Sequence, residues 1–194
     1  MSNSVHLQLA SKSPRRREIL QQLGVRFSVV SVDVPEKQDL GESPAEYVQR
    51  LASSKALAGY EKFPGIPTLG ADTIVCCDEA VLEKPKDEED FLSMMRRLSG
   101  RQHQVLTAVS LCNGSKQKTH LSQTDVSFRT ISEAQMLAYW QTGEPQDKAG
   151  GYAIQGKGAV FVTHLQGSYS GVVGLPIEVL NTLLTEFDVP VWSL

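Results

Sequence analysis

Residues 5–24 read V-H-L-Q-L-A-S-K-S-P-R-R-R-E-I-L-Q-Q-L-G. Val5, Leu7 and Leu9 alternate with His6 and Gln8, the period of a strand with one buried face, and the alternation stops near Ala10. Ser13-Pro14 then reads as an N-cap followed by proline at the first helical position, where its missing N–H had no partner in any case. Ile19, Leu20 and Leu23 keep helical spacing, and Gly24 stands where a left-handed residue closes a helix. Arg15, Arg16 and Arg17 crowd the first turn, at the positive end of the helix dipole, where each cation costs about 0.3–1 kcal/mol. Folding alone gives no reason for them. An anion does: first-turn N–H groups, the Ser11 and Ser13 hydroxyls and the guanidinium groups of Arg15 and Arg16 would converge on a phosphate. A helix advances about 100° per residue, so one of the three arginines points away. The plain alternative is that all three radiate into water.

The chain has 194 residues, read as a single domain over 1–194 with two lobes and a central cleft. Hydrophobic residues make up 41% and charged residues 21%, ordinary for a soluble globular protein, and no apolar run approaches a membrane span. The N-terminus enters a strand at once without a secretory signal pattern, so the cytoplasm is the expected location. The three cysteines imply neither a disulfide framework nor a zinc site; Cys76 and Cys77 are adjacent on a predicted strand and point to opposite faces. A formal charge of −3 argues against broad nucleic-acid binding. Asn113-Gly114-Ser115 matches a glycosylation sequon but reads better as a hairpin turn.

Further along, residues 27–32 read as a second strand running into Asp33-Val34-Pro35-Glu36, which sets two carboxylates at a strand end. Ser43-Pro44-Ala45-Glu46 is a capping box opening a helix to about Tyr60, with Tyr47, Val48, Leu51, Ala52 and Leu57 inward and Arg50 and Lys55 among its polar residues. Residues 68–77 are a mostly apolar strand with Asp72 inside it. Glu83-Lys84-Pro85 precedes a helix over 87–98; residues 102–112 and 119–129 form strands joined by the Asn-Gly turn. Another capping box at Ser132 and Gln135 starts a helix ending near Gly143. The glycine-rich residues 147–158 permit close backbone approach to a ligand. Residues 159–163 and 168–173 suggest a last hairpin, and Gly174-Leu175-Pro176 begins a helix to about Phe187. Intermixed helices and strands without a repeat give an α/β class with a mixed sheet flanked by helices.

Asp72 is the sharpest single residue, because an acid among apolar strand neighbours must be paired, metal-bound or neutralised. Its plain alternative is a structural hydrogen bond to the following loop. Glu36 gains weight only beside Asp72. Two carboxylates with Arg15, Lys55 and Lys84 are the parts of phosphoryl chemistry, acids for a divalent cation and cations for a polyphosphate. Gly151, Gly156 and Lys157 imitate a P-loop, but Gly158 replaces the required Ser or Thr, and Tyr152, Ala153 and Ile154 do not suit an open cradle. The four histidines show no ligand spacing.

Six separated motifs in order, L-A-S-K-S-P-R-R, the D-x-x-E of Asp33 to Glu36, G-A-D-T at 70–73, E-K-P at 83–85, D-K-A-G-x-Y-x-I-Q-G at 147–156 and V-V-G-L-P at 172–176, resemble the Maf family of nucleoside triphosphate pyrophosphatases. The resemblance implies an elongated sheet with a central cleft, similar to the inosine triphosphatase fold, in a cytoplasmic and often dimeric enzyme. It implies cleavage between the α- and β-phosphates with Mg²⁺ or Mn²⁺, the metal falling to Glu36 and Asp72. It places Asp72 on the proton acceptor and Glu36, Lys55 and Lys84 on other catalytic positions. Arg15, Thr73 and Gln155 fall on specificity positions, and Ser11, Ser13 and Arg16 belong to the same substrate cradle. Pro35 departs from the family, which commonly carries an acid there. G-A-D-T with I-Q-G resembles the branch acting on dTTP and UTP; little in the sequence polices C5, so modified uridine and cytidine triphosphates are expected as substrates too. The rival expectation is a nucleotide-binding regulator of cell division and septum formation that uses the cradle without turnover.

Overall fold

The computed structural model describes residues 5–114 and 116–193, so Ser115 of the sequon lies outside the described residues. Strand β1 (Leu7–Leu9) runs into helix α1 (Pro14–Gln22), and β2 (Phe27–Val29) follows. Helix α2 (Pro44–Lys62) leads to the long β3 (Thr68–Cys77) and the short β4 (Ala80–Leu82). Then come α3 (Glu88–Leu98), β5 (Gln102–Asn113), β6 (Lys116–Phe128) and α4 (Glu133–Trp140). Three short 3₁₀ turns precede β7 (Val162–Gln166), α5 (Tyr169–Val173) and α6 (Ile177–Glu186). The 7-stranded sheet has the order β2-β1-β3-β5-β6-β7, with β4 beside β3; β1 is parallel to β2 and β3, and the other pairs are antiparallel.

Strand β3 organises this sheet because its two edges are treated differently. On one edge β5 pairs with it without interruption from residue 68 to residue 76. On the other, β1 reaches only Leu69 and the pairing with β4 begins at Val75, so among the described residues no strand covers 70–74. The sheet forks there, and the fork is the mouth of the cleft. Alternation along β3 then decides what each side receives. Ile74 and Cys76 pack under α2 with Tyr47, Val48, Leu51 and Ala52. On the opposite face two separate cores form: Leu69 and Ala71 join Leu7, Leu9, Leu20 and the α6 leucines, whereas Val75 and Cys77 join Phe91, Met95 and Leu98 of α3 and Tyr139 of α4. These are the two lobes. Among the described residues no helix is long and apolar enough to cross a membrane.

Both capping boxes form, at Ser43 with Glu46 and at Ser132 with Gln135. Other expectations are corrected. Ser13 occupies the N-cap position of α1 but its hydroxyl makes no cap bond; its own N–H donates to Ser11 Oγ at 3.2 Å. Leu57 is 41% exposed, and Ala56 takes the inward place, because the buried row of α2 steps from Ala52 to Ala56, one full turn. The second strand stops at Val29 rather than Val32, and β6 begins at Lys116, closing the Asn-Gly hairpin tightly on Asn113. The hairpin expected at 159–173 is absent. Residues 157–161 are a 3₁₀ turn, β7 pairs instead with β6, and Ser168 accepts a hydrogen bond from Gly171 N–H and turns the next segment into α5.

Helix α2 approaches β3 closely enough that a Cβ on Gly70 would lie 2.2 Å from the Ala52 carbonyl oxygen and 2.4 Å from Ala56 N. Neither backbone atom can swing aside as a side chain does. Gly70→Ala is expected to destabilise the fold by at least about 1–3 kcal/mol, the usual cost of overpacking. Urea denaturation checks it, and an unchanged midpoint would mean that α2 sits further from the sheet.

Candidate active site

A cleft of about 660 Å³ opens at the fork of β3. Its walls are the β1–α1 turn, the 32–36 loop, α2, the open edge of β3, the Glu83-Lys84 segment after β4, the glycine-rich loop and the end of α5. Every candidate named from sequence lines it: Ser11, Ser13, Arg15, Arg16, Glu36, Lys55, Asp72, Thr73, Lys84 and Gln155.

At its centre Lys55 Nζ lies 2.6 Å from Asp72 Oδ1 and 2.6 Å from Glu36 Oε1. The Lys55 and Asp72 side chains are 12% and 14% exposed, and Glu36 closes the trio from the open side at 54%. Asp72 is sited on the unpaired stretch of β3, facing α2, which is why an acid on a mostly buried strand can reach a lysine of that helix. Partial burial pushes the Glu36 pKa up, but the hydrogen bond and charge of Lys55, with the charges of Lys84 and Arg16, more than offset this and hold it below the usual carboxylate value. On the neighbouring wall Glu83 accepts a hydrogen bond from Tyr47 Oη at 3.3 Å. Desolvation raises its pKa, Tyr47 opposes this, and the nearby Asp72 and Glu36 charges raise it further. Burial beside these acids likewise raises the Tyr47 phenol.

The arginines of α1 divide their work. Arg17 is exposed and donates to the Lys12 carbonyl. Arg16 reaches inward: Nε donates to Gly174 O at 2.8 Å, Nη1 to Ser11 Oγ at 3.1 Å and Nη2 to Thr73 Oγ1 at 3.2 Å. Its burial lowers its pKa, partly compensated by Asp72. So Arg16 does have a folding role, contrary to the expectation from the helix dipole alone, although two of its five N–H groups remain beyond these bonds. Thr73 continues the chain. Thr107 Oγ1 lies 2.7 Å from Gly171 O and 3.0 Å from Thr73 Oγ1. A carbonyl only accepts, so the Thr107 proton goes to Gly171 and the Thr73 hydroxyl donates to Thr107. Thr73 is thereby left one lone pair for a ligand. Arg15 and the exposed Gln155 also line the cleft.

Sequence reading passed over Tyr47, Glu83 and Thr107 as site residues. Tyr47 looked like any inward helix position and Thr107 like any strand threonine, whereas Glu83 was in plain view in the E-K-P motif. The P-loop imitation fails in the structure too, since Tyr152, Ala153 and Ile154 are buried. His103 is buried on β5, where its Nε2 meets Tyr152 Oη at 2.8 Å and burial lowers its pKa to about 4.

Among the described residues no group of three or more His, Cys, Asp or Glu is arranged to hold a metal ion. Glu36 and Asp72 nevertheless converge on one cation, the Lys55 ammonium. Two carboxylates that share a cation suit Mg²⁺ or Mn²⁺ completed by phosphate oxygens and water rather than by a protein cage. The donor set therefore fits a metal that arrives with a polyphosphate.

A chain from Saccharophagus degradans is 58% identical over 195 residues, covering 98% of this chain and 93% of the relative, and carries the name dTTP/UTP pyrophosphatase. Relatives with the same name from Photobacterium profundum, 49% identical over 95% of this chain and 98% of their own, and Pseudoalteromonas atlantica, 50% identical over 93% and 96%, extend the likeness. A family model described as Maf-like protein matches residues 6–187, from β1 through α6 and thus every wall of the cleft, and this chain belongs to that family.

Proposed function

We propose that this protein is a nucleoside triphosphate pyrophosphatase that hydrolyses dTTP and UTP, with modified uridine and cytidine triphosphates, to the nucleoside monophosphate and pyrophosphate. The observation that carries the reading is the Glu36–Lys55–Asp72 trio at the floor of a cation-edged cleft, in a chain whose relatives bear that name. Water attacks the α-phosphorus, Asp72 takes its proton, and pyrophosphate leaves against Arg15, Lys55 and Lys84. Glu36 and Asp72 would hold Mg²⁺ or Mn²⁺, which neutralises phosphate charge when bound. Arg16 fixes the wall of the anion site and presents its remaining N–H groups. Gln155, an amide able both to donate and to accept, reads the pyrimidine edge with the last lone pair of Thr73. The protein works as a cytoplasmic homodimer, and its charge of −3 speaks against a nucleic-acid partner.

Three outcomes test this reading. Asp72→Asn keeps shape and loses the base, so pyrophosphate release should fall at least about 10²-fold with the circular dichroism spectrum unchanged. A folded variant with near-normal kcat would remove Asp72 from the chemistry, and nucleotide binding without turnover in the wild type would favour a regulatory role instead.

Selectivity is read from kcat/KM for dTTP, UTP, CTP, GTP and 7-methyl-GTP at saturating Mg²⁺. The pyrimidine triphosphates should lead, by up to about 10⁴ where hydrogen bonds decide the choice. Preference for 7-methyl-GTP would overturn the base assignment and leave the reaction type standing.

The trio also has a signature in the free protein. Glu36 titrates below its unfolded value, so the pairing adds stability above the unfolded pKa that is lost as pH falls through the folded one. In Lys55→Gln the desolvation stays and the main opposing partner goes, so carboxyl-detected NMR should show the Glu36 pKa rise. An identical titration in both proteins would contradict the ion pair.

A further inference from the structure

We propose that Tyr139 and Glu144 are positioning residues for Gln155: they tether both ends of the turn that carries it and thereby set base selectivity without touching substrate. This rests on the reading above that Gln155 contacts the base.

Gln155 stands in a turn between the buried Tyr152, Ala153 and Ile154 and the buried Gly158. An amide on such a turn discriminates between bases only if its backbone is held to about 0.5 Å. The turn supplies little of that stiffness itself. Its backbone contributes Gly156 N–H to Ala153 O and Ala159 N–H to Gly156 O, each at 3.2 Å. Side chains from outside the turn do the rest. Two residues before Gln155, Ala153 N–H donates to Tyr139 Oη at 3.1 Å. Tyr139 Oη donates in turn to Glu144 Oε1 at 2.7 Å. After Gln155, Lys157 N–H donates to Glu144 Oε2 and Gly158 N–H to Glu144 Oε1, each at 3.0 Å. One carboxylate and one phenol thus grip the backbone on both sides of the residue that faces the cleft.

A side chain at either glycine would push against this grip. A Cβ on Gly156 would lie 2.3 Å from Glu144 Oε2, and one on Gly158 would lie 2.7 Å from Tyr139 Oη. The turn is closed onto the acid as far as bare backbone allows. Neither Tyr139 nor Glu144 lines the cleft. Burial pushes Glu144 toward protonation, but Tyr139, the two backbone N–H groups and Lys148 outweigh it and hold its pKa below the usual value, so it acts as an anionic acceptor at neutral pH. Lys148, which lines the cleft, also donates to the Glu144 carbonyl at 3.3 Å and links the tether to the cleft wall.

The test compares kcat/KM for UTP and for GTP in wild type, Gln155→Ala, Tyr139→Phe, Glu144→Gln and the Tyr139→Phe/Gln155→Ala double variant. Tyr139→Phe keeps the ring in its core and loses only the hydroxyl; Glu144→Gln keeps the shape but offers a donor where acceptors are needed. Both should lower the UTP:GTP ratio by about 10- to 100-fold, the scale of an ångström-level misplacement, chiefly through KM for UTP. In the Gln155→Ala background Tyr139→Phe should lower it no further, since the tether acts only through the amide. Should Glu144→Gln fail to fold, Tyr139→Phe carries the comparison. A lower melting temperature with an unchanged ratio in Tyr139→Phe, while Gln155→Ala lowers the ratio, overturns the positioning role alone. An unchanged ratio in Gln155→Ala overturns the base-contact reading and this proposal with it.

Discussion

An unpaired stretch in the middle of a central strand is the constraint on which this molecule turns. Backbone N–H and C=O groups on a strand edge need partners, and a buried edge without them costs stability. Among the described residues, 70–74 of β3 have no strand on one edge, because β1 ends its pairing at Leu69 and the pairing with β4 begins at Val75. The fold therefore has to leave that edge open to water or to a polar ligand, and the cleft follows. The same gap lets Asp72 sit on a strand that is otherwise apolar and still meet Lys55 across the cleft floor. It also divides the core: the hydrophobic residues on either side of Thr73 belong to different clusters.

Between those clusters runs a polar seam, Arg16 to Thr73 to Thr107 to the Gly171 carbonyl, with Gly174 closing it back onto Arg16. A guanidinium at the start of a helix is unfavourable by its dipole. Here it is offset by the carbonyl at the end of α5 and by two hydroxyls, so the arginine joins α1, β3 and α5 at the point where the lobes meet. Helix termini whose charges look wrong locally are thus reconciled by residues far off in sequence. The seam orders the wall against which an anion would rest.

That distance explains what could be read from the chain and what could not. The capping boxes at Ser43 and Ser132, the long apolar β3 and the strand-to-helix start were legible because each signal is local: a side chain bonding a backbone three residues away, or an alternation within a few positions. Leu57 was expected inward as the larger apolar residue, whereas the row one turn on from Ala52 continues to Ala56, the side on which Gly70 comes close to the helix. The segment 168–173 carries strand-like valines and a tyrosine, yet a single Ser168 cap and the left-handed Gly167 and Gly174 bend it into a helix turn. Asp72 and the arginine cradle were legible by chemistry, an acid on an apolar strand and cations at a helix start, but their meeting with Gln155 in one cleft rested on motif order, since no periodicity brings Ser11, Asp72 and Gln155 together. Thr107 and Glu144 gave no local signal. Their partners are Gly171, 64 residues on from Thr107, and a turn whose bare glycines look merely flexible until the acid behind them is seen.

The charge of the cleft bears on how a triphosphate would be taken. Six cationic and five acidic side chains line it, a surplus of one positive charge. A site built to hold free polyphosphate by charge alone would show a larger excess, as phosphate-neutralising surfaces do. Here the acids Glu36 and Asp72 face the very cations that would meet phosphate, and they share the one Lys55 ammonium, which leaves the trio one negative charge in excess. The arrangement is balanced for a substrate that brings positive charge of its own. Were Glu36 and Asp72 to hold a divalent ion as proposed, nucleotide offered with Mg²⁺ would bind more tightly than nucleotide alone, and the Lys55 charge would be free to meet phosphate. Charge balance of this kind separates the protein from a simple anion-binding module: cations alone suffice to bind a phosphate, whereas the paired acids matter only where a metal or a proton has to be handled.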